Sequence, residues 1–392
     1  MAPRFDVVVA GGSIAGLTFA AEASKRGLSV LVAEEHDEIG EPEKCDGLVS
    51  LRGMKGYGHP PRPEVVQNEI ASGVIHSPLG RHFAINATAL DVVVLDRSEY
   101  DKQVADEARA SGAEIVTGAR ASGFLQTQDG ISVTIGNETV TARYYIDATG
   151  PSSGHKGGVL PAAKYELEGD WVKEHSVEVF LDAKRYPGFF AWVIPFGRHA
   201  AKVGVAGSGI SPFKALDSFL ADKPHTVLRK VSAPIYIGGP ALQFVGGRKV
   251  LVGESAGQVK PTTAGGIVTS MAGAVMAARW VSESLRLHRP DLLRNYQRDW
   301  EARFLKEMKT MLRLRGVFRK LSNHDLDALV ATVGTPKFAR RLSQTDFDFH
   351  ASALLGVLGI QGLLHIARVV ASSEARSLLS EGRGSPPAQQ SI

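Results

Sequence analysis

A handful of residues in this chain have types and spacings that could do chemistry. Gly11, Ser13 and Gly16 fit a Gly-x-Gly-x-x-Gly turn in which serine takes the second glycine's place. In such a turn the first residue makes the tight bend and the second must be small, so that backbone amides approach a pyrophosphate. The third lets helix and strand pack closely. Serine is small enough for its position, and its hydroxyl can donate to phosphate. Glu34 follows at the distance where a carboxylate accepts the hydrogens of a ribose diol, which favours FAD or NAD over NADP. Cys45, in the stretch GEPEKCDGLVS, is the only cysteine of 392 residues. Arithmetic excludes an intrachain disulfide and any multi-cysteine zinc or iron–sulfur site, so no metal is expected.

The elements that must position these residues are legible around them. Phe5 to Ala10 is a short apolar run rich in β-branched residues, which predicts a buried strand. Helical spacing follows from Ile14 to Lys25, Gly27 stops it, and Ser29 to Ala33 is a second buried strand ending at Glu34. Strand, turn, helix and strand make a βαβ unit with an anion-binding helix N-terminus. Two short strands with a turn at Pro78-Leu79-Gly80 are predicted next. A strand ending at Asp96-Arg97 then leads into a helix capped by Ser98 and stopped by Gly112. A hairpin turned at Gly136-Asn137 leads to a strand ending in Asp147-Ala148-Thr149-Gly150. Residues 164–245 are mainly strand-like, with a helix from Pro212 to Leu220. A nucleotide-domain pattern returns at Val250 to Val252, Gly253-Glu254 and a small-residue helix from about Gly265. Past Pro290 the chain is helical and basic, and Phe347 to Leu379 is an apolar helical stretch.

Composition is that of an ordinary globular protein, with 44% hydrophobic and 22% charged residues and a net charge of +4. The mild basic excess suits an anionic surface such as lipid headgroups without demanding one, and no nucleic-acid partner is expected. A single cysteine, the lack of a signal-peptide pattern and of ~20 uninterrupted apolar residues predict a cytoplasmic protein. The expected architecture is α/β. A discontinuous dinucleotide-binding domain takes residues 1–59, 92–150 and 246–285, and a β-sheet substrate domain takes 60–91 and 151–245. A C-terminal helical region (286–380) and a disordered tail (381–392) complete it.

The dinucleotide turn, Asp96-Arg97, the Asp147-Ala148-Thr149-Gly150 strand end and Gly253-Glu254-Ser255-Ala256-Gly257 together resemble flavoproteins of the aromatic-hydroxylase structural class. Within it the chain resembles the geranylgeranyl reductase family, most of all the archaeal digeranylgeranylglycerophospholipid reductases, over residues 1 to about 300. That family carries a Pro-x-x-Tyr-x-Trp-x-Phe-Pro stretch lining its substrate site. Here Pro187, Trp192 and Pro195 match it, while Phe190 replaces the tyrosine and Ile194 the phenylalanine. Loss of the hydroxyl removes a donor and leaves a more apolar wall. The Lys44-Cys45-Asp46-Gly47-Leu48 run resembles the family's cysteine loop beside the flavin, and Glu254 stands where the family usually has aspartate.

The resemblance implies a Rossmann-like FAD domain with an inserted antiparallel sheet and C-terminal helices. It places FAD contacts at Ala15, Glu34, Cys45, Asp46, Leu48, Arg97, Ala121, Glu254, Gly266 and Ile267, with Phe189, Phe190, Trp192 and Pro195 toward the substrate. For Arg97 a guanidinium clamp on phosphate or ribityl oxygens competes with a salt bridge to Asp96 or Asp101. The implied activity is reduction of isoprenoid double bonds by flavin hydride plus a proton. A monooxygenase and a non-catalytic flavin or lipid carrier are the alternatives. Cys45 is a candidate acid or a packing residue against the ring; a thiol with pKa about 8.5 is mostly protonated near neutrality. Without a second dinucleotide fingerprint, an external donor such as ferredoxin is expected. The implied lipid substrate and the basic helix suggest peripheral contact with the inner membrane face.

Overall fold

The computed structural model describes residues 4–152, 157–232, 234–344 and 347–348. The apolar stretch predicted from Phe347 and the tail at 381–392 therefore lie outside the described residues, Phe347 and Asp348 excepted.

The first half of the chain runs β1 (Phe5–Ala10), α1 (Ile14–Ser24), β2 (Val30–Ala33), β3 (Leu48–Ser50) and α2 (Leu51–Lys55), followed by β4 (Val66–Glu69), β5 (Ser72–His76), β6 (His82–Asn86) and β7 (Val92–Leu95). It continues with α3 (Arg97–Ala110), β8 (Glu114–Val116), β9 (Ala121–Gln126), β10 (Ile131–Ile135) and β11 (Glu138–Asp147). The second half adds β12 (Val159–Leu160), β13 (Ala162–Glu168), β14 (Ser176–Phe180), β15 (Ala191–Pro195), β16 (Ala200–Ala206) and α4 (Pro212–Leu220). Then come β17 (Thr226–Ser232), β18 (Ile235–Tyr236), β19 (Val245–Gly246), β20 (Lys249–Leu251), α5 (Ile267–Arg286), α6 (Arg294–Phe318), α7 (Asn323–Val333) and α8 (Pro336–Leu342).

Two large sheets organise these elements. The first has the order β19-β20-β11-β1-β2-β8, with β10 added beside β11 and β9 beside β10. β20, β11, β1, β2 and β8 are parallel. Parallel strands are covered on both faces and read as continuous apolar runs, as VVVA and VLVA do here. α1 and α5 pack side by side on one face, where Ala15, Phe19, Ala20 and Ala23 meet Ala272, Ala274 and Ala277. Alanine dominates because small side chains let two helices and a sheet approach closely.

The second sheet has the order β17-β13-β16-β15-β14-β5-β6. Side chains alternate between its faces. Ala163, Tyr165, Leu167, Val193, Val203 and Val205 point to one face and pack with Leu216, Phe219 and Leu220 of α4. The other parity carries Lys164, Glu166, Trp192, Ile194, Lys202 and Gly204, which the register places side by side. This second face is turned toward the loop that follows β2, and the site is built there. A small sheet, β3-β7-β4, joins the two large ones.

One predicted cap is corrected. β7 ends at Leu95, and α3 is capped by Asp96, whose carboxylate accepts from the Glu99 backbone N–H at 3.0 Å. Ser98 is already inside the helix. Asp and Ser cap about equally well, and a cap at Asp96 puts Arg97 inside the helix, where it pairs with Asp101 one turn on.

Candidate active site

The turn after β1 is built by close backbone approach. Gly11 has φ +102°, and a side chain at Gly16 would stand 2.0 Å from the Gly11 carbonyl oxygen. Gly12 donates to Glu34 Oε2 at 2.6 Å, so the loop and the carboxylate are locked together. The other oxygen, Oε1, accepts from the His36 backbone N–H at 3.0 Å. Among the described residues no protein acceptor takes the backbone N–H groups of Ser13, Ile14 and Ala15. Helix N-termini of this kind bind phosphate. Ala121 opens β9, just past a loop whose Ala119 N–H donates to the Glu34 carbonyl, so it stands at the same end as the carboxylate.

The other two motifs close on this turn. Gly253 (φ +64°) lies against Ala15, where an added side chain would come within 2.5 Å of the alanine methyl. Ser255 Oγ donates to Asp147 Oδ1 at 3.1 Å and accepts from the Gly150 N–H at 3.0 Å. Asp147 also meets Lys249 at 2.7 Å. Burial pushes the Glu254 carboxyl up to about 7, against a backbone N–H of Tyr236 and the charge of Lys44. The influence of Lys44 on Glu254 puts the cysteine loop across from this motif. Gly266 caps α5, with Ile267 as its first residue. No protein acceptor takes either amide among the described residues.

Arg97 is buried and pairs with Asp101 through Nη2 at 2.8 and 3.1 Å. Burial opposes its charge, but Asp101 outweighs it, with a smaller contribution from Cys45, and the pKa is raised. Arg97 Nε and Ser98 Oγ are buried without a protein partner. Of the two roles weighed for Arg97, the ion pair is observed, and one donor is left over for a ligand.

The cysteine loop is held from the substrate sheet. Lys164 Nζ donates to the Cys45 carbonyl at 2.9 Å and lies 3.4 Å from Asp46. Lys202 Nζ meets Glu43 at 2.7 Å, and Arg229 bridges Glu43 and Glu166, each at 2.7 Å. Both lysines are 1% exposed. Burial alone would raise the Glu43 carboxyl; Lys202, then Lys164 and Arg229, bring it below the usual range. Buried charges persist when paired in this way. The Cys45 side chain itself is exposed, accepting a weak contact from the Gly47 N–H at 3.5 Å. Sequence reasoning missed Glu43, Lys164, Lys202 and Arg229. Its one available signal was a lysine set among small apolar residues in AAKVGVA.

Beside this loop stands an aromatic wall. Phe189 and Phe190 stack at 4.0 Å, and each meets Trp192 edge-on, at 6.3 and 6.1 Å. Gly204 leaves room for the indole, since a side chain there would come within 2.3 Å of its ring. Trp192 touches two apolar clusters. One contains Leu48, Ile194 and Phe347; the other contains Phe189, Phe190 and Ala264, which precedes the α5 cap. Pro195 is not brought to this wall. It alternates to the opposite face with Val193, and its carbonyl accepts from Asn68 Nδ2 at 2.9 Å.

A model of the FAD-dependent oxidoreductase family matches residues 6–175. Digeranylgeranylglycerophospholipid reductase 2 of Methanopyrus kandleri is 32% identical over 358 residues, covering 83% of this chain and 89% of that protein. The reductase 2 of Methanothermobacter thermautotrophicus is 29% identical over 84% of this chain and 92% of its own length. Among solved structures, a geranylgeranyl bacteriochlorophyll reductase-like protein from Thermoplasma acidophilum superposes with TM-score 0.85 at 22% identity, covering 95% of this chain and all of that one (100%). A variant of the halogenase PltM in complex with FAD has TM-score 0.65 at 17% identity, covering 96% of each chain. The fold is that of FAD-dependent oxidoreductases, and FAD is the cofactor that the matched family's description names. The unpartnered amides at α1 and α5 and the free Arg97 Nε fit it.

Proposed function

The chain belongs to the digeranylgeranylglycerophospholipid reductase family, and we propose that it saturates carbon–carbon double bonds in geranylgeranyl chains of archaeal-type membrane lipids or their precursors. One observation carries this reading. Trp192 packs at once toward Leu48 of the cysteine loop and Ala264 before α5, so an apolar aromatic surface adjoins the elements expected to frame the flavin ring. An isoprenoid chain has only apolar surface to offer, and this wall answers it without a hydroxyl.

In this reading the amides of Ser13, Ile14 and Ala15 receive the pyrophosphate, and Glu34 the adenosine ribose. Ala121 lies toward the adenine. Arg97, Cys45, Asp46 and Leu48 line one side of the ring, with Gly266 and Ile267 on the other. Glu254 accepts from the ribityl chain or a nearby hydroxyl. The chemistry that bound FAD supplies is hydride transfer. An isolated alkene has no carbonyl to take up charge, so a proton must arrive with the hydride. Glu254, with its carboxyl pushed up to about 7, holds a proton over part of the neutral range. Cys45 is the second candidate. Phe189, Phe190 and Trp192 orient the chain and exclude water.

Electrons come from an external carrier such as ferredoxin, a reading supported by the single dinucleotide fingerprint. Peripheral membrane contact is supported by α6, whose exposed Arg303, Lys306, Lys309 and Arg313 recur every three or four residues, nearly a whole number of turns at each step. No described helix is long and apolar enough to cross a membrane.

The test is incubation of the chemically reduced holoprotein with a geranylgeranylated glycerophospholipid under argon and in air. A mass gain of two hydrogens per double bond under argon is expected. Oxygen-dependent hydroxylation, or recovery of unchanged lipid bound to the protein, would replace the proposal by a monooxygenase or a carrier.

A further inference from the structure

One buried cation stands outside the site described so far. Arg315, on α6, is 9% exposed. Its Nη1 donates to the Gly188 carbonyl at 2.8 Å, and its guanidinium carbon lies 5.9 Å from the centre of the Phe189 ring. No carboxylate pairs with it among the described residues. The charge nearest to it is another cation, Arg319, one helical turn on and exposed. Burial, then the Arg319 charge, push Arg315 down to about 10.

Gly188 marks the notch between the two. It has φ +73°, and a side chain there would stand 3.1 Å from Arg319 Cγ and 3.9 Å from Arg315 Nη2. Like charges four residues apart on a helix repel, and a buried charge lacking a counter-charge is costly. One carbonyl and one aromatic ring offset only part of that cost. A phosphate would offset the rest, because a guanidinium fork matches its oxygens two at a time.

The position is as informative as the charge. The ring beside Arg315 is Phe189, which stacks on Phe190, and that cluster closes on Ala264 two residues before the α5 cap. Cations therefore stand at one end of the aromatic wall and flavin-binding elements at the other. We propose that Arg315 and Arg319 hold the phosphate or diphosphate head of an amphiphilic substrate, whose chain runs along Phe189, Phe190 and Trp192 toward the flavin. This rests on the function proposed above and adds the substrate's charge and its direction of entry.

The test uses the FAD-loaded protein with geranylgeranyl diphosphate, a geranylgeranylglyceryl phosphate and uncharged geranylgeraniol. The readouts are kcat/KM and equilibrium binding. In Arg315→Gln the preference for the phosphorylated lipids over the alcohol falls about tenfold or more, chiefly through KM, with FAD content retained. Arg319→Gln, at an exposed position, shows the same selectivity loss in smaller and salt-sensitive form. Arg315→Lys recovers part of the preference. Equal losses on charged and uncharged substrates in both glutamine variants would overturn the proposal. Inorganic pyrophosphate serves as the free-anion probe. If it binds through these arginines while lipid binding ignores them, the headgroup assignment is overturned. If the wild type reduces no isoprenoid, the proposed function fails, and binding of geranylgeranyl diphosphate to wild type and variants still decides the anion site.

Discussion

Around Gly11, Gly16 and Gly253 the chain meets itself through backbone, with glycines admitting carbonyls and a methyl group where no side chain would fit. Around Glu43, Lys164, Lys202 and Arg229 it meets itself through long charged side chains drawn from distant strands. The first region offers amides that any sequence could supply, provided the spacing is right. The second holds the cysteine loop through side chains that only this sequence supplies. Tight backbone contact tolerates almost no substitution at its glycines. A side-chain network fails more gradually, and its losses can be partly repaired.

The sharpest contrast comes from Gly16→Val. The new side chain starts 2.0 Å from the Gly11 carbonyl, so the turn must open, and the protein is expected to purify without flavin, read from its visible absorbance. Retention of FAD would break the distinction drawn here. The matching change in the ionic region is Lys202→Met, which leaves Glu43 buried with less compensation. Loss of about 3 kcal/mol is expected from denaturant unfolding. Adding Glu43→Gln should return part of it, a recovery that no second change offers at Gly16.

Glu254 is an ionisable side chain set within the backbone-built region. Its folded pKa of about 7 lies above the ordinary 4.5, so folding favours the protonated form. That contribution is full below the ordinary value and is lost as pH rises through about 7. It amounts to about 3 kcal/mol at most. In flavin-stripped protein, melting temperature is expected to fall between pH 5 and 8, and Glu254→Gln should flatten that slope. A slope unchanged by the substitution would remove Glu254 from the account. The smallest effect is expected at Cys45. Its exposed side chain makes one weak contact, so Cys45→Ser and Cys45→Ala should keep FAD and reduce lipid within about threefold of wild type. A loss of about 100-fold in both would make the thiol a required acid.

The contrast also explains what could be read from sequence. The strand Phe5–Ala10, the turn through Ser13, the carboxylate at Glu34 and the helix near Gly266 were legible because backbone-built sites need fixed spacings within short segments. Asp96 and Ser98 are both good caps two residues apart, and no local pattern decides between them. Lys202 and Glu43 are far apart in the chain, and no local pattern links them. Trp192 was legible through its flanking prolines. The alternation that turns Pro195 away follows from strand parity, which becomes binding once β15 is fixed at Ala191–Pro195.

The register of β13 against β16 carries a further consequence. Lys164 lies opposite Gly204 and Glu166 opposite Lys202, so both lysines share one face. A slip of either strand by one residue turns its side chains to the other face. Lys202 would then point at α4 and Glu43 would lose its lysine partner. The loop carrying Cys45 can dock only on a sheet that has been assembled correctly. Docking of that loop is therefore tied to the pairing of β13 with β16, two strands remote from it in the chain.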